Sequence, residues 1–152
     1  MLLGKKGTKL IRSKKTIIDG HEFDSQTEAQ FYKKLLEDEK VDKIELQPKF
    51  ILLNKFTVPC WKCRGTGKMV SSKTNKSINC SSCKGTKVRQ RQPWTYSADF
   101  KVTYKDGYEE VIDVKGGFKD AKFPYVKKMF EYTTGKELVV WSYKQKKWIR
   151  SR

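Results

Sequence analysis

Hydrophobic residues early in this chain recur at two different spacings, which predict a β-hairpin followed by a helix. Residues 16–23 place two short strands around Asp19-Gly20, the dipeptide that favours a two-residue hairpin turn. Asp24 or Ser25 then provides a helix N-cap, because each has a short side chain that accepts a hydrogen bond from a free backbone N–H. The apolar positions that follow fall at helical spacing, at Ala29, Tyr32, Leu35 and Leu36.

The rest of the pattern predicts strands and one further helix. A strand is predicted over 42–54, where Pro48 favours a sheet edge or a bulge. Two later strands are predicted to pair as a hairpin that turns at Asp106-Gly107. A second helix is predicted to end at Gly135. These later elements are predicted as strand, strand, helix and strand over 93–104, 108–116, 121–135 and 136–143. The order predicts an α/β domain.

The length of the chain suits one compact unit and the composition argues against a membrane protein. At 152 residues it can form one domain, or a domain of about 115 residues with a small insertion. No run of about 20 apolar residues is present, so no membrane span is predicted. The apolar run at the basic start is too short for a secretory signal. We therefore expect a cytoplasmic protein, in the host cytoplasm if a phage encodes it.

Positive charge is concentrated in two segments. The net charge is +17; residues 1–15 carry six Lys or Arg and residues 54–91 carry ten, with no acidic residue in either segment. The remaining residues are nearly neutral, at about +1. Cationic appendages on a neutral body predict contact with a phosphate backbone, and the alternative is a solvated surface with a disordered tail. The predicted DNA contacts are Lys5, Lys6, Lys9, Arg12, Lys62, Arg64, Lys68, Lys84, Lys87, Arg89 and Arg91.

All four cysteines lie in the second cationic segment. They form two Cys-x2-Cys pairs: Cys60 and Cys63, then Cys80 and Cys83. Four thiolates at this spacing can hold one tetrahedral Zn²⁺, in a structural site with no open position for catalysis. The segments resemble the Cys-x2-Cys-x-Gly-x-Gly repeats of chaperone zinc modules, although Lys87 breaks the second repeat. We therefore predict a zinc ribbon that grips DNA; the alternatives are two disulfides or four free thiols.

The tryptophans are expected to pack in the core or in the ribbon rather than to stack on nucleic-acid bases. They are Trp61, Trp94, Trp141 and Trp148. The role of Trp148 stays open at this point, because this residue lies in a basic C-terminal segment.

Acidic residues interrupt the apolar strands on either side of the Asp106-Gly107 turn. Asp99 and Asp113 lie at similar distances from the turn, so we expect them to be neighbours on adjacent strands. Lys115 is two residues beyond Asp113 and shares its face of the strand. Carboxylate oxygens suit Mg²⁺, and a lysine beside them can stabilise charge that develops on a phosphate. The alternative is a surface ion pair between Asp113 and Lys115, worth under about 1 kcal/mol.

The segments that contain these acids resemble the PD-(D/E)XK nuclease superfamily. The likeness rests on "YSADF" at 96–100 and "VIDVKG" at 111–116, and it extends upstream over 19–38 and 41–50. Within the superfamily, the chain is most similar to phage endonuclease I and RecU-like Holliday-junction resolvases. It also looks like a phage family catalogued as a domain of unknown function. The resemblance implies a restriction-endonuclease-like α/β core, a mixed central sheet flanked by helices, with the zinc ribbon as an insertion.

The resemblance also implies a role for each matched residue. Glu28, Asp99 and Asp113 would be catalytic ligands of Mg²⁺ or Mn²⁺. The backbone carbonyl of Val114 would also face the metal, and Lys115 would be the catalytic lysine.

Three positions complete or qualify this assignment. Gln47 matches a polar position near the same site and is expected to support it. Asp113 stands where most members have Glu, and Ala98 stands where the family usually has Pro. Glu28 has an alternative role, because Ser25-x-x-Glu28 is also a helix capping box.

The function that the resemblance implies is Mg²⁺-dependent hydrolysis of DNA phosphodiesters by metal-activated water. A homodimer would cut four-way junctions or other branched DNA. Two alternatives stay open: another structure- or sequence-directed duplex endonuclease, and a non-catalytic zinc-ribbon protein that binds nucleic acid. The predicted organisation is a basic tail over 1–15, a nuclease core over 16–55 and 92–152, and a zinc ribbon over 56–91.

Overall fold

The structure is a computed structural model that describes residues 15–117 and 120–151. Within these residues the chain forms thirteen strands and two helices. The first elements are β1 Thr16–Ile18, β2 His21–Phe23, α1 Gln26–Leu36, β3 Val41–Leu46, β4 Lys49–Leu53, β5 Phe56–Pro59, β6 Lys68–Val70 and β7 Ser77–Asn79. The later elements are β8 Val88–Arg91, β9 Trp94–Ser97, β10 Phe100–Tyr104, β11 Glu109–Lys115, α2 Phe123–Thr134, β12 Leu138–Lys144 and β13 Lys147–Ser151.

A mixed sheet of five strands lies at the centre of the fold, in the order β13-β12-β11-β10-β3. β11 and β12 run parallel, and α2 lies between them in the chain as the crossover that a parallel pair requires. The other neighbours in this sheet are antiparallel. The described chain is therefore mixed α/β with more strand than helix, which confirms the expected class.

The two helices cover opposite faces of the sheet. The first core joins residues of α1 to one face of the sheet, and it includes Phe31, Phe100 and Ile112. The second core joins Phe130 of α2 to the other face, where Val111 also packs. Consecutive residues of β11 thus enter different cores, because side chains alternate across a strand. Strand β11 is buried on both faces, and the odd-numbered positions along it face α2.

The first hairpin and the first helix form where the sequence predicts them. Asp19 and Gly20 have φ values of 50° and 79°, the left-handed pair that a type I′ turn requires. Of the two predicted N-caps, the structure selects Ser25. Its hydroxyl accepts a hydrogen bond from the backbone N–H of Glu28 at 3.1 Å.

Two predicted strands are each broken in two, which corrects the sequence interpretation. The first break lies at Gln47-Pro48, between β3 and β4, and the second at Ala98-Asp99, between β9 and β10. Gln47 has a φ of 48°, and Pro48 has no N–H for the ladder. Hydrogen bonds continue across the breaks, from Gln47 N–H to the Asp99 carbonyl at 3.0 Å and from Ala98 N–H to the Pro48 carbonyl at 3.1 Å. Beyond the breaks, β4 and β9 form a separate two-stranded sheet, and Leu52 of β4 packs in the α2 core.

Helix α2 and strand β12 form at the predicted places with shifted boundaries, and β12 covers 138–144 where 136–143 was predicted. The helix begins at Phe123, two residues later than predicted, with Pro124 in its first turn. It ends at Gly135, whose φ of 68° is the left-handed conformation common at a helix C-terminus.

The C-terminal basic segment forms β13, a strand that the sequence pattern did not predict. It pairs with β12 through a turn at Gln145 and Lys146, both with positive φ. Trp148 packs edge-to-face against Phe31, with 4.9 Å between ring centroids. This settles the open role of Trp148: its ring packs against the first core.

The basic tail is largely outside this description. Lys5, Lys6, Lys9 and Arg12, which the sequence assigns to DNA contact, lie outside the described residues. Neither described helix has the length and apolar character that crossing a bilayer requires.

The packing of Trp148 predicts a specific loss of stability. Replacing it by alanine (Trp148→Ala) should lower the free energy of unfolding by about 2 kcal/mol, less than for a fully buried aromatic because the residue is only half-buried. Urea unfolding would measure the change. Ile149→Ala is the control on the same strand, since Ile149 is 45% exposed, and it should cost about 0.5 kcal/mol or less. Equal effects of the two changes would contradict the packing role.

Candidate functional site

Asp99 lies close to Asp113, at the start of the β10–β11 ladder. The ladder begins with Phe100 opposite Ile112, and Asp99 is the residue just before β10. The Asp99 N–H donates to the Ile112 carbonyl at 3.1 Å. The carboxylate Oδ2 of Asp99 accepts a hydrogen bond from the Val114 N–H at 2.6 Å. The structure thus brings together the two acids that the hairpin predicts to be neighbours.

Asp113 is buried, and its two carboxylate oxygens have different surroundings. The residue is only 4% exposed. Its Oδ1 accepts a hydrogen bond from the Tyr96 hydroxyl at 2.7 Å. Its Oδ2 lies 2.6 Å from Nζ of Lys115 in an ion pair, but no described group reaches this atom with hydrogen-bond geometry. A buried carboxylate oxygen without a hydrogen bond is a place where a cation can bind.

Lys115 is held between Asp113 and an aromatic ring. Its Nζ lies 3.8 Å from the ring centroid of Phe123, the first residue of α2. A cation over a ring face is attracted by the π-electrons. The side chain is 33% exposed, so the ammonium is fixed by two contacts and still open to solvent on one side. Sequence reasoning anticipated the pairing of Lys115 with Asp113 but not this ring.

The pair of acids carries more negative charge than its surroundings neutralise. Burial and the nearby charge of Asp113 raise the pKa of the Asp99 carboxyl to about 7. The Val114 N–H and the Lys115 ammonium lower that pKa, but they do not cancel the rise. Near neutral pH, Asp99 is therefore poised between its protonated and charged forms, and a nearby cation would favour the charged form.

Glu28 is placed in the capping box at the start of α1. The Ser25 hydroxyl donates to Glu28 Oε1 at 2.7 Å, in addition to capping the backbone. Burial raises the pKa of the Glu28 carboxyl, and the charge of Asp113 adds to the rise while the Ser25 bond opposes it. Glu28 thus lies within electrostatic range of Asp113. Among the described residues, however, only the cysteines bring three or more ligating atoms within 4.8 Å of one another.

Gln47 and Val114 approach Asp99 through their backbones. The Gln47 N–H bonds the Asp99 carbonyl, and the Gln47 side chain is exposed. The Val114 N–H bonds the Asp99 carboxylate, while its side chain packs in the first core. Both residues therefore hold Asp99 in place, whatever further role they have.

Tyr96 is the residue of this site that sequence reasoning missed. Its ring packs with Phe130 in the second core, and its hydroxyl donates to Asp113 from strand β9. Burial and the charge of Asp113 raise the pKa of the phenol, so it stays a donor at neutral pH. Tyr96 reaches the α2 face of the sheet only because of the break at Ala98-Asp99. No sequence pattern predicted that break.

The four cysteines form a buried cluster that can bind a metal such as zinc. Their sulfur atoms all lie within 4.8 Å of one another, with 3.9 Å from Cys60 to Cys80 and 3.7 Å from Cys63 to Cys83. Tetrahedral Zn²⁺ with bonds of about 2.3 Å requires sulfurs about 3.8 Å apart. No disulfide forms, so the thiols are free. The alternative of two disulfides is therefore wrong for this structure.

Backbone N–H groups favour the thiolate form that a metal needs. The N–H of Cys63 lowers the pKa of the Cys60 thiol to about 6, although burial acts in the opposite direction. Burial likewise opposes ionisation of Cys63, but the Gly67 N–H, 3.2 Å from its sulfur, leaves the net pKa lowered. These bonds favour the thiolates of Cys60 and Cys63, whereas burial leaves the pKa of the Cys83 thiol raised.

The two knuckles are near copies of each other. Thr66 and Thr86 each donate to the carbonyl of the preceding knuckle cysteine at 2.7 Å. Gly67 and Lys87 both have positive φ, so Lys87 keeps the turn although it breaks the sequence repeat. A side chain at Gly67 would place its Cβ 2.8 Å from the Gly85 carbonyl, which explains why only the second knuckle accepts a larger residue.

The predicted cations of the ribbon are all on its surface. The ribbon is carried on the β5–β8 pair, with Phe56 opposite Arg91. None of the ten Lys or Arg of residues 54–91 forms an ion pair with a described acid, and all ten are exposed. Trp61 is also exposed, at 75%, which corrects the expectation that it packs inside the ribbon. The ribbon surface is therefore strongly positive, with one large aromatic ring.

The chain matches the family described as "Protein of unknown function (DUF1064)" over residues 8–150. It therefore belongs to this family, which bears out the expected likeness to a domain of unknown function. A search of curated proteins and a search of solved structures each found no match.

The raised pKa of Asp99 predicts how stability depends on pH without added Mg²⁺. The unfolded chain loses the Asp99 proton near pH 4 and the folded chain near pH 7, so the folded state binds more protons between these values. The contribution of this group to the free energy of unfolding therefore falls as pH rises from about 4 to 7. Asp99→Asn removes the effect and should stabilise the protein by about 2 kcal/mol at about pH 8.

Urea unfolding of both proteins over this pH range checks the prediction. The stability difference should shrink as the pH falls toward about 3, where the Asp99 carboxyl is mostly protonated in both states. Parallel pH profiles for the two proteins would show that the carboxyl is not under this electrostatic strain.

The cysteine cluster predicts metal content. The purified chain should carry one zinc, and Cys60→Ser should lose it, because three thiolates in a small ribbon hold the ion much more weakly than four. Elemental analysis after desalting measures the ratio. Ser81→Ala, inside the second knuckle but not among the four clustered residues, should keep its zinc. Retention of zinc by Cys60→Ser would refute the four-thiolate site.

Proposed function

We propose that this member of the DUF1064 family is a Mg²⁺-dependent DNA endonuclease with a restriction-endonuclease-like core. One observation carries the proposal: Asp99 is hydrogen-bonded to the backbone of β11 at Ile112 and Val114, on either side of Asp113, and the Lys115 ammonium lies 2.6 Å from Asp113. Two carboxylates and a lysine in this arrangement are the groups that metal-assisted hydrolysis of a phosphodiester uses. The mixed sheet with a helix on each face supports the core that the resemblance implies.

The residues of the site fit a hard divalent cation. Asp113 offers a buried oxygen without a hydrogen bond, and burial together with the charge of Asp113 raises the pKa of Asp99 to about 7. Carboxylate oxygens are the ligands that Mg²⁺ and Mn²⁺ prefer. Asp99 and Asp113 would hold the ion, and the Val114 and Tyr96 hydrogen bonds would keep the two carboxylates in place.

The side chains of the site then have separate tasks. Bound Mg²⁺ would supply a Lewis acid that offsets phosphate charge and lowers the pKa of water. Lys115 presents its ammonium at the open side of the site, where it can donate to a phosphate oxygen as charge develops there. The Phe123 ring keeps that ammonium from swinging away. Glu28, bonded to Ser25, contributes a nearby negative charge that favours cation binding.

The surface of the ribbon supports DNA as the substrate. Ten exposed cations without acidic partners match a phosphate backbone and bind it without regard to base sequence. Substrate choice within DNA follows the resemblance: a homodimer would place two sites on the strands of a four-way junction or another branched structure.

A second candidate is a zinc-ribbon protein that binds nucleic acid without cutting it. It is favoured by one feature of the site: Glu28 satisfies the helix N-terminus instead of joining the two aspartates in a cluster of three ligands. This candidate shares the ribbon surface with the nuclease proposal and differs from it only in catalysis.

Replacing Asp113 separates the two functions. Asp113→Asn keeps the size of the side chain but removes its charge, so cleavage should fall about 10²- to 10³-fold while DNA binding is retained. Cleavage would be measured on a four-way junction, the matched linear duplex and a single strand, with and without Mg²⁺. Omitting Mg²⁺ is preferable to a chelator, which would also remove zinc.

Glu109→Gln is the matched control, because Glu109 lies on the same strand and face but pairs with Lys101 and Lys136 away from the site. It should cut like the wild type. Paired nicks confined to the junction would support a resolvase. Full cleavage by Asp113→Asn would refute the active-site assignment, and no cleavage of any substrate by the wild type would favour the second candidate.

A further inference from the structure

We propose that the first zinc knuckle is a base-stacking element, in which Trp61 stacks on an unpaired base of DNA while nearby cations hold the adjoining phosphates. The inference rests on the proposed nucleic-acid substrate and names the part of it that the ribbon recognises. An unpaired base is required, because bases inside a duplex already stack on their neighbours and offer no free face.

The ring of Trp61 is not needed for the fold of the knuckle. Ser81 holds the equivalent position in the second knuckle, which makes the same threonine hydrogen bond and the same left-handed turn. The fold therefore accepts a small polar side chain at this place. At the first knuckle the chain instead carries a tryptophan that is 75% exposed. Exposing so much apolar area to water is unfavourable, and a partner that covers the ring removes that cost.

Charged groups converge beside the second knuckle. Nζ of Lys62 donates to Ser81 Oγ at 2.7 Å, and a guanidinium nitrogen of Arg89 donates to Ser82 Oγ at 3.1 Å. Each bond uses one donor and leaves the other N–H groups free, since Lys has three donors and Arg has five. Because neither cation pairs with a described acid, both charges remain available to phosphate.

Strand β8 extends this positive surface toward the candidate active site. Arg89 and Arg91 are two residues apart on the strand, so they project from one face about 7 Å apart. The chain then continues through β9, which ends two residues before Asp99. A DNA strand that follows the arginines would connect the ring of Trp61 with the proposed catalytic carboxylates.

An aromatic ring next to a cationic track is the combination that binds single strands. The cations follow the backbone and the ring adds a stacking contact that any base can make. Cations alone would bind duplex and single strand through the same phosphates. Trp61 is therefore the part of the surface that distinguishes unpaired from paired DNA.

Binding by Trp61→Ala tests the proposal in the full, zinc-loaded chain. The probes are a labelled single-stranded DNA oligonucleotide and the duplex of the same sequence, without Mg²⁺ so that cleavage does not enter. Single-strand affinity should fall roughly 5- to 30-fold, as expected for one lost stacked base. Duplex affinity should change less than about twofold, because the phosphate contacts remain.

Two further variants serve as controls. Trp61→Phe keeps an aromatic face and should retain most of the single-strand affinity. Tyr132→Ala removes a ring that is 85% exposed on α2, outside the zinc ribbon, and should change neither affinity. Zinc content is measured for each protein; should Trp61→Ala lose zinc, Trp61→Leu with full zinc takes its place with the same expected loss.

Unchanged single-strand binding by the variant would overturn the proposal, and so would equal losses on single strand and duplex. The outcome is separable from that of the nuclease proposal. A chain that cuts DNA but binds single strands independently of Trp61 loses only the stacking role. A chain that binds single strands through Trp61 but cuts no substrate keeps the stacking role and loses the nuclease.

Discussion

The hydrogen bond from the Val114 amide to the Asp99 carboxylate is the interaction on which the candidate site depends. At 2.6 Å it ties the residue before β10 to β11 and holds Asp99 close to Asp113. The bond holds one carboxylate beside another that is already buried, and the pKa of Asp99 near 7 is the electrostatic result. Under the proposed function, a divalent cation bound here would offset this repulsion.

The local elements of this fold could be predicted where a few residues decide them. Asp19-Gly20 specifies a left-handed turn pair, and Ser25 caps a helix, whatever the rest of the chain does. Pro48 indicated an edge or a bulge near the first break, but the change of side at Gln47 and at Ala98 could not be predicted, because even-numbered apolar positions continue on both sides of each break. In the structure, Phe100 packs in the α1 core whereas Ala98 packs in the α2 core. Only the tertiary fold decides where such a pattern changes sides.

The candidate site divides in the same way. Strand period and hairpin register predicted the meeting of Asp99, Asp113 and Lys115, since both are local properties of the sequence. The partners that complete the site, Tyr96 and Phe123, come from strand β9 and from the first turn of α2. Their approach depends on how three elements pack, which spacing along the chain does not encode. The exposure of Trp61 was missed for a similar reason, because a tryptophan between two cysteines looks like a packing residue until the knuckle is seen to be filled by sulfur.

The pairing of Phe56 with Arg91 has a consequence for how such a protein can change over evolutionary time. Opposed residues of an antiparallel pair lie about 5 Å apart, so the two ends of the ribbon are close enough for a tight turn to join them. The strands that flank the zinc ribbon in the chain, β4 and β9, pair with each other directly. The central sheet therefore does not depend on the zinc ribbon for its pairing. A zinc ribbon attached in this way can be lost, lengthened or replaced while β10 and β11 keep their register.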